Sequence, residues 1–579
     1  MSTARNRLVP RLLGLLLGAL LLLCPASPAN AGEFPLKQCE GARQEGFSGA
    51  QTVLGGADRV DFVAGCSRPG SGKLGVYQDR GGNALGFGVG GEFSWLMPPG
   101  ARVVATEIDA KLRDANGILA RPLGRRVGSD LIPLDQGLPH DGVQRVARWT
   151  GRDRPVYAVF LRLSCQATSC ANAPASTKAY LEAFDVDLTV EDFRGPLVSP
   201  SGAAWEWAAG PDWHRGSAPI TVKASDQGSG ISRLWAEVNG LAVDLATVLC
   251  PGARSGFAVA VPVCPSATET TRSLDTSRSP FVDGANTLKV CVADYAAASG
   301  DANRSCSASR TVKVDNEPPG PPVELRSLGG QEWRAGNRFE LAWESPGGQV
   351  SPLVGGRYSV VAAETGETVE SGEIEAAESG RLGPLAMPGP GAYELEVRLR
   401  DAAGNLGQPA RTTVRFDDRP PGDVAPEPPA GWVSADELPL RQVIGRAEPG
   451  GPSGVGGYAL AVSPSAPAAP CPTGICRPAD LTVAGGAEQR TGLIPGLEEG
   501  SHWVSAVAAS GAGVASVVPG STVVKVDRTA PSVRLTGLPE GWSDRPVELR
   551  VEAADGGSGM APAPGDDGEP GTVIAAEGH

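Results

Sequence analysis

The sequence predicts an all-β fold: an N-terminal jelly-roll-like sandwich followed by a tandem row of antiparallel β-sandwiches. Three observations carry that expectation. Gly (78) and Pro (51) together make about 22 % of the 579 residues, which interrupts helices every few positions. Yet 41 % of the chain is hydrophobic, enough to bury cores, whereas chains with aperiodic Pro and Gly above roughly 25–30 % are disordered. Short runs of period-two alternation, closed by Gly, Asn or Asp, recur along the length. At roughly 100–200 residues per domain the length accommodates three to five such units.

Residues 1–31 read as a signal peptide. Arg5, Arg7 and Arg11 form a basic start, Leu12 to Leu23 an apolar segment, and Ala29-Asn30-Ala31 a small-residue cleavage site. The apolar segment is short for a membrane span, and Leu23 and Pro25 around Cys24 disfavour lipidation there. An extracellular or cell-surface location follows, with no transmembrane segment in the mature chain. The formal charge of −14 is spread along the sequence; it argues against nucleic acid and anionic lipid and reads as a solvated surface.

Once Cys24 is removed ten cysteines remain, an even number that suits an oxidising compartment. They fall as neighbours: Cys39 and Cys66, Cys165 and Cys170, Cys250 and Cys264, Cys291 and Cys306, Cys471 and Cys476. Neighbour pairing is the simplest of many connectivities. Zinc is disfavoured, because no His lies near the two Cys-x4-Cys pairs and four closely spaced Cys never occur together.

Residues 33–192 lack the repeats found later. Alternation in Val104/Thr106/Ile108/Ala110/Leu112, Val159/Leu161/Leu163 and Phe184/Val186/Leu188/Val190 predicts strands. Their number over this length predicts the jelly-roll-like sandwich. Such a sandwich can bind sugars through aromatic side chains; Tyr77, Trp95 and Trp149 are the candidates, against the simpler reading that they fill the core. Glu107 and Asp109 alternate on one strand like a glycosidase carboxylate pair. Position 112, where a third carboxylate would stand, is Leu112, and Lys111 and Arg113 are expected to pair with the two acids. Asp185, Asp187 and Glu191 read as solvated outer positions. No catalytic constellation emerges: His140, His214, His502 and His579 are scattered, and no nucleophile elbow or phosphate loop is present.

From about residue 195 the sequence repeats. TVKVDNEPP, TTVRFDDRPP and TVVKVDRTAP place Asp315, Asp417 and Asp527 at intervals of 102 and 110 residues, the length of one sandwich. Each is a closing strand, an Asp, then Pro, which cannot continue a ladder and stiffens a linker. A second element is an alternating strand running into Asp226-Gln-Gly-Ser229-Gly230, repeated at Asp555-Gly-Gly-Ser558-Gly559 and begun by Ser453-Gly454. A third ends in Asp401-Ala-Ala-Gly404-Asn405, with Asp294 and Ser510 at the matching places. These residues resemble tandem bacterial immunoglobulin-like domains of secreted and surface proteins. The unit around 317–418 is similar to fibronectin type III, with Trp343 at the core position and Tyr358 on the next strand.

The expected organisation is therefore a signal peptide (1–31), the jelly-roll-like domain (33–192), Ig-like domains at 193–316, 317–418 and 419–528, and a partial fourth at 529–579. About fifty residues make half a sandwich, so either the reading frame continues beyond them, the favoured expectation, or this segment ends in a poorly ordered tail. No cofactor is expected. Ca2+ is the one ion with a case, through Asp294/Asp301, Asp401/Asn405 and Asp417/Asp418 near the joints, although none has a defined ligand spacing. The resemblance implies an exported, non-enzymatic structural or binding protein whose repeats form a stalk. A carbohydrate-binding protein or degenerate glycoside hydrolase acting through 33–192 is the alternative. A polysaccharide and a surface protein are the partner classes.

Overall fold

The structure is a computed structural model. It describes residues 32–39, 48–55, 60–66, 72–78, 84–128, 130–171, 174, 177–299, 303–375, 380–424, 429–434, 437–439, 447–485, 493–495, 497–560 and 572–574. Residues 1–31, which the sequence reading took as a signal peptide, and Asp301 lie outside them. The chain divides into two compact units, Met1–Asn316 and Glu317–His579. Both are built from β-sheets, as tandem sandwiches.

In the first unit, strands Asp141–Thr150, Ala101–Arg113, Tyr180–Asp192 and Gly32–Gln38 lie side by side, with Val60–Ala64 and Leu74–Gln78 extending the sheet. A second sheet runs Ala50–Leu54, Gly90–Leu96, Ala158–Cys165, Ile118–Arg125 and Leu131–Pro133. Alternation decides which side chains meet: Ile108, Ala110, Leu112, Val186 and Leu188 from one sheet share a core with Phe93, Leu161, Leu163 and Ile118 from the other. Trp95 and Trp149 lie in this same core.

The next sandwich pairs a sheet of Leu197–Ser201, Ser217–Ser225 and Ala267–Asp275 with one of Trp213–His214, Arg310–Val314, Gly284–Asp294, Ile231–Val238 and Leu241–Thr247. It reaches back into its neighbour. The loop closed by Cys250–Cys264 folds into a small hairpin, Ala253–Arg254 with Phe257–Ala258, and Ala258 pairs with Leu36 at the edge of the N-terminal sheet. The Gln38 amide donates to the Val259 carbonyl (2.7 Å), while Ala258, Val263, Cys264 and Ala296 complete the N-terminal core. A disulfide expected to staple one domain therefore shapes a loop that covers an open sheet edge of another.

In the second unit the same plan recurs. Three strands (Val323–Ser327, Phe339–Glu344, Arg381–Leu385) face five (Trp333–Arg334, Ala410–Phe416, Gly391–Asp401, Leu353–Ala362, Thr368–Ile374). Trp343 is buried between them with Phe339, Leu395 and Val397. The following sandwich carries Trp432–Val433, Gly520–Val526, Gly500–Ser510, Val455–Ser463 and Val483–Ala484 in the same order. The last residues form a three-stranded sheet of Ser532–Thr536, Val547–Ala554 and Thr572–Ile574, with Val533, Leu535 and Val551 exposed.

One repeated element was not read from the sequence. In three sandwiches, those after the N-terminal one, a two-residue strand starting with Trp runs parallel to the closing strand: Trp213 opposite Lys313, Trp333 opposite Arg415, Trp432 opposite Lys525. The ammonium of Lys313 lies 5.7 Å from the Trp213 ring centre, and that of Lys525 lies 5.8 Å from Trp432. The carbonyl one residue after the Trp then accepts the amide of the linker aspartate, His214 from Asp315, Arg334 from Asp417 and Val433 from Asp527 (2.9–3.0 Å). The recurrence of Trp at these positions was the available signal.

Candidate functional site

The linker aspartates are the residues around which the sandwiches meet. Asp192 ends the last strand of the N-terminal sandwich, and its carboxylate accepts the Ser229 amide (2.6 Å) from the turn of the next domain. In the second unit Asp417 accepts the Ser453 amide (2.9 Å) and hydroxyl, and Asp527 accepts the Ser558 amide (2.6 Å). Three joints thus share one contact. Glycines one or two residues before the serines serve it: a Cβ on Gly228 would overlap the Asp192 carboxylate, and one on Gly451 that of Asp417.

The first joint carries more charge than the others. Asp226 and Asp294 bring their carboxylates to Asp192, and an oxygen of each lies within 4.8 Å of the others, all three side chains being buried. Asp226 Oδ2 accepts the amides of Gly228 (2.8 Å) and Gly230 (2.7 Å), and Asp294 Oδ1 accepts that of Ala297 (3.1 Å). Asp192 Oδ1 accepts the Arg194 amide (3.2 Å), while the Arg194 guanidinium turns away to Gln227. Asn303, also buried, donates its side-chain amide to the Asp192 carbonyl (3.0 Å). Asp226 Oδ1, Asp294 Oδ2 and Asn303 Oδ1 are buried with no hydrogen-bond partner. Burial, reinforced by the neighbouring carboxylates, pushes Asp192 up to about 6 and Asp294 up to about 8.

Asp301, the residue of this loop that the sequence reading paired with Asp294, lies outside the described residues; Asn303 from the same loop is described. Its backbone carbonyl accepts the Asp294 amide (3.4 Å) as Asn405 accepts that of Asp401 (3.2 Å), so the two asparagines are equivalent despite a longer loop in the first case. At Asp401 the Asn405 backbone and side-chain amides close both oxygens (2.8 and 2.9 Å), which is a self-capped turn. Asp417 is buried and held by Ser453 and the Arg419 amide, while Asp418 is exposed. Glu237, Cys291 and Cys306 also cluster, but the sulfurs are bonded to each other.

The outer face of the N-terminal sheet is the second candidate. The Tyr77 hydroxyl donates to Glu182 (2.6 Å), which also pairs with Lys73 (2.5 Å). Burial and that hydrogen bond push the phenol up to about 12. The ring sits 6.3 Å from Tyr180, with Arg113 over Tyr180 (5.2 Å) and Lys111 over Phe184 (5.2 Å). Of the three aromatics proposed as ligand-binding, only Tyr77 is on this face. Trp95 and Trp149 are only 3 % and 6 % exposed, and a buried indole offers no platform to a sugar. The expected pairing of Lys111 and Arg113 with Glu107 and Asp109 is also corrected. Glu107 pairs across the sheet with Arg148 (2.8 Å) and Asp109 accepts from Gln144 (2.7 Å), because cross-strand neighbours are nearer than residues two apart on one strand. Leu112 is buried in the core.

Other sequence candidates resolve into structure. His140 lies between Asp114 (2.8 Å) and Asp135 (3.0 Å), so both ring nitrogens are engaged. All ten cysteines form disulfides with their neighbours. Among the described residues no helix is long and apolar enough to cross a membrane.

No protein-family model matches the chain, and no curated protein is similar to it in sequence. Among solved structures it is similar to the FN1-FN3 domains of chicken CNTN1, at 12 % identity and a TM-score of 0.21, over 57 % of this chain and 97 % of that one. It is also similar to fibronectin(III)-like modules of Clostridium thermocellum CbhA, at 12 % identity and a TM-score of 0.20, over 38 % of this chain and 94 % of that one.

Proposed function

We propose that this chain is an exported, non-enzymatic structural and binding protein of bacterial origin, in which the Ig-like sandwiches form a stalk that presents residues 33–192. The observation that carries this reading is the repeated joint. A linker carboxylate seated on the next domain's serine turn, followed by proline, restrains bending where a Gly/Ser linker would permit it. Five disulfides favour an oxidising compartment. Cell fractionation tests the reading: the chain is expected, without residues 1–31, in the medium or at the cell surface, and a cytoplasmic chain overturns it.

The second reading is carbohydrate binding, favoured by the aromatic and charged side chains grouped around Tyr77, Tyr180 and Glu182 on one sheet face. A glycan array probed with the full chain separates the two. Binding that is lost in Y77A supports this reading, and binding to no glycan leaves the structural one.

A further inference from the structure

We propose that the joint formed by Asp192, Asp226, Asp294 and Asn303 is a binding site for one Ca2+ ion, which locks the N-terminal sandwich to the domain that follows it. This goes beyond the stalk reading, which needs only the hydrogen-bonded joints.

The first argument is electrostatic. Three carboxylates whose oxygens lie within 4.8 Å of one another are buried, and among the described residues no ion pair joins a Lys, Arg or His to any of them. Buried charges persist only when paired, protonated or bound to a metal. Backbone amides hold the outward oxygens, yet Asp226 Oδ1 and Asp294 Oδ2 receive nothing. Asn303 adds an independent sign. Its side-chain nitrogen is anchored on the Asp192 carbonyl, and its oxygen, almost fully buried, has no donor. An amide carbonyl without a donor beside three carboxylates is a set of acceptors that one cation would satisfy together.

The second argument is a comparison inside the chain. Ile231 pairs with Asp294, Leu353 with Asp401 and Val455 with Ser510, so these three positions are equivalent. At the Asp417 joint, Gly450 stands three residues before Ser453, where Asp226 stands three before Ser229, and Ser510 replaces Asp294. There the single carboxylate is closed by Ser453, and the Ser510 hydroxyl accepts the amides of Ala512 (3.3 Å) and Val514 (3.1 Å). None of those side-chain oxygens is buried without a partner. A joint with one carboxylate closes itself. The joint with three leaves oxygens over.

The donor set selects the ion. All candidate ligands are hard oxygens, without His or Cys, which disfavours zinc and copper. Ca2+ takes six to eight oxygens at about 2.3–2.6 Å in flexible geometry, whereas Mg2+ retains most of its waters and uses one or two carboxylates. Three carboxylates and an amide carbonyl fit Ca2+.

The full chain, treated with EDTA and dialysed, is titrated with CaCl2 by calorimetry and followed by thermal unfolding. One tight site and a rise in the Tm of the first unit are expected. D226N and D294N should each weaken binding by at least the roughly 10–100-fold that loss of a second-shell partner costs, and abolish the Tm rise. Both variants should be as stable as the wild type in EDTA, since each removes an unbalanced buried charge and keeps the side-chain shape. D417N should bind Ca2+ like the wild type. No binding by the wild type at millimolar Ca2+, unchanged binding in both joint variants, or loss of binding in D417N overturns the proposal. Because this readout is independent of glycans and of location, its failure leaves the proposed function standing.

Discussion

At the scale of single residues, identity proved a poor guide to role until burial was known. Trp95 and Trp149 have the chemistry of a sugar platform, yet both are core residues. Trp95→Ala should cost about 3–5 kcal/mol in denaturant unfolding of the N-terminal sandwich, the usual penalty for emptying an aromatic site. The exposed Glu107–Arg148 pair is the opposite case. Arg148 removal should change stability by no more than about 1 kcal/mol, as solvent-screened pairs do. Gly228 is the residue whose small size matters most: Gly228→Ala drives a methyl into the Asp192 carboxylate, and thermal unfolding should show the first unit destabilised. Asp226, Asp294 and Ser229 stood out in the sequence as turn residues. Their convergence on Asp192 did not, because they lie 34 to 102 positions away from it along the chain.

At the scale of elements, strands were legible because period two is a local signal. The buried alternation of Ala101–Arg113 and Tyr180–Asp192 follows the sequence pattern, and so do the closing strands before each linker aspartate. Two-residue strands carry too little pattern to be read, which is why the Trp213, Trp333 and Trp432 pairings emerged only in the structure. The Cys250–Cys264 loop is the clearest departure. The spacing of the cysteines suggested a local staple; the loop instead adds a hairpin to a neighbouring sheet, a contact whose partner, Leu36, is over two hundred residues away. Replacing Cys250 and Cys264 by Ser should cost about 3 kcal/mol for a loop of this length. Hydrogen exchange should also quicken at Leu36 and Gln38, and protection unchanged there would show that the hairpin holds without its disulfide.

At the scale of the whole molecule, aspartate joints recur between successive sandwiches within each unit. Asp417→Ala leaves the Ser453 amide and hydroxyl without their acceptor, a loss of about 1–3 kcal/mol. The expected readout is faster proteolysis between residues 417 and 424, at the linker itself. The same joint contact occurs in both units: the carboxylates of Asp192, Asp417 and Asp527 each reach the serine turn of the next domain.

The sequence by itself determined the all-β class, the tandem repetition, the even set of paired cysteines and the places where strands must stop. Each of these is written in composition or in neighbours a few residues apart, where alternation, Gly turns and Pro act locally. Only the tertiary structure decided which aromatics are buried, which sheet edge the Cys250–Cys264 loop covers, and which carboxylates gather at a joint. Those outcomes depend on pairings between residues tens to hundreds of positions apart, set by register and by the packing of two sheets. A single Asp reads the same way in a self-capped turn as in a cluster of three. What separates Asp401 from Asp294 is the company that folding brings to it.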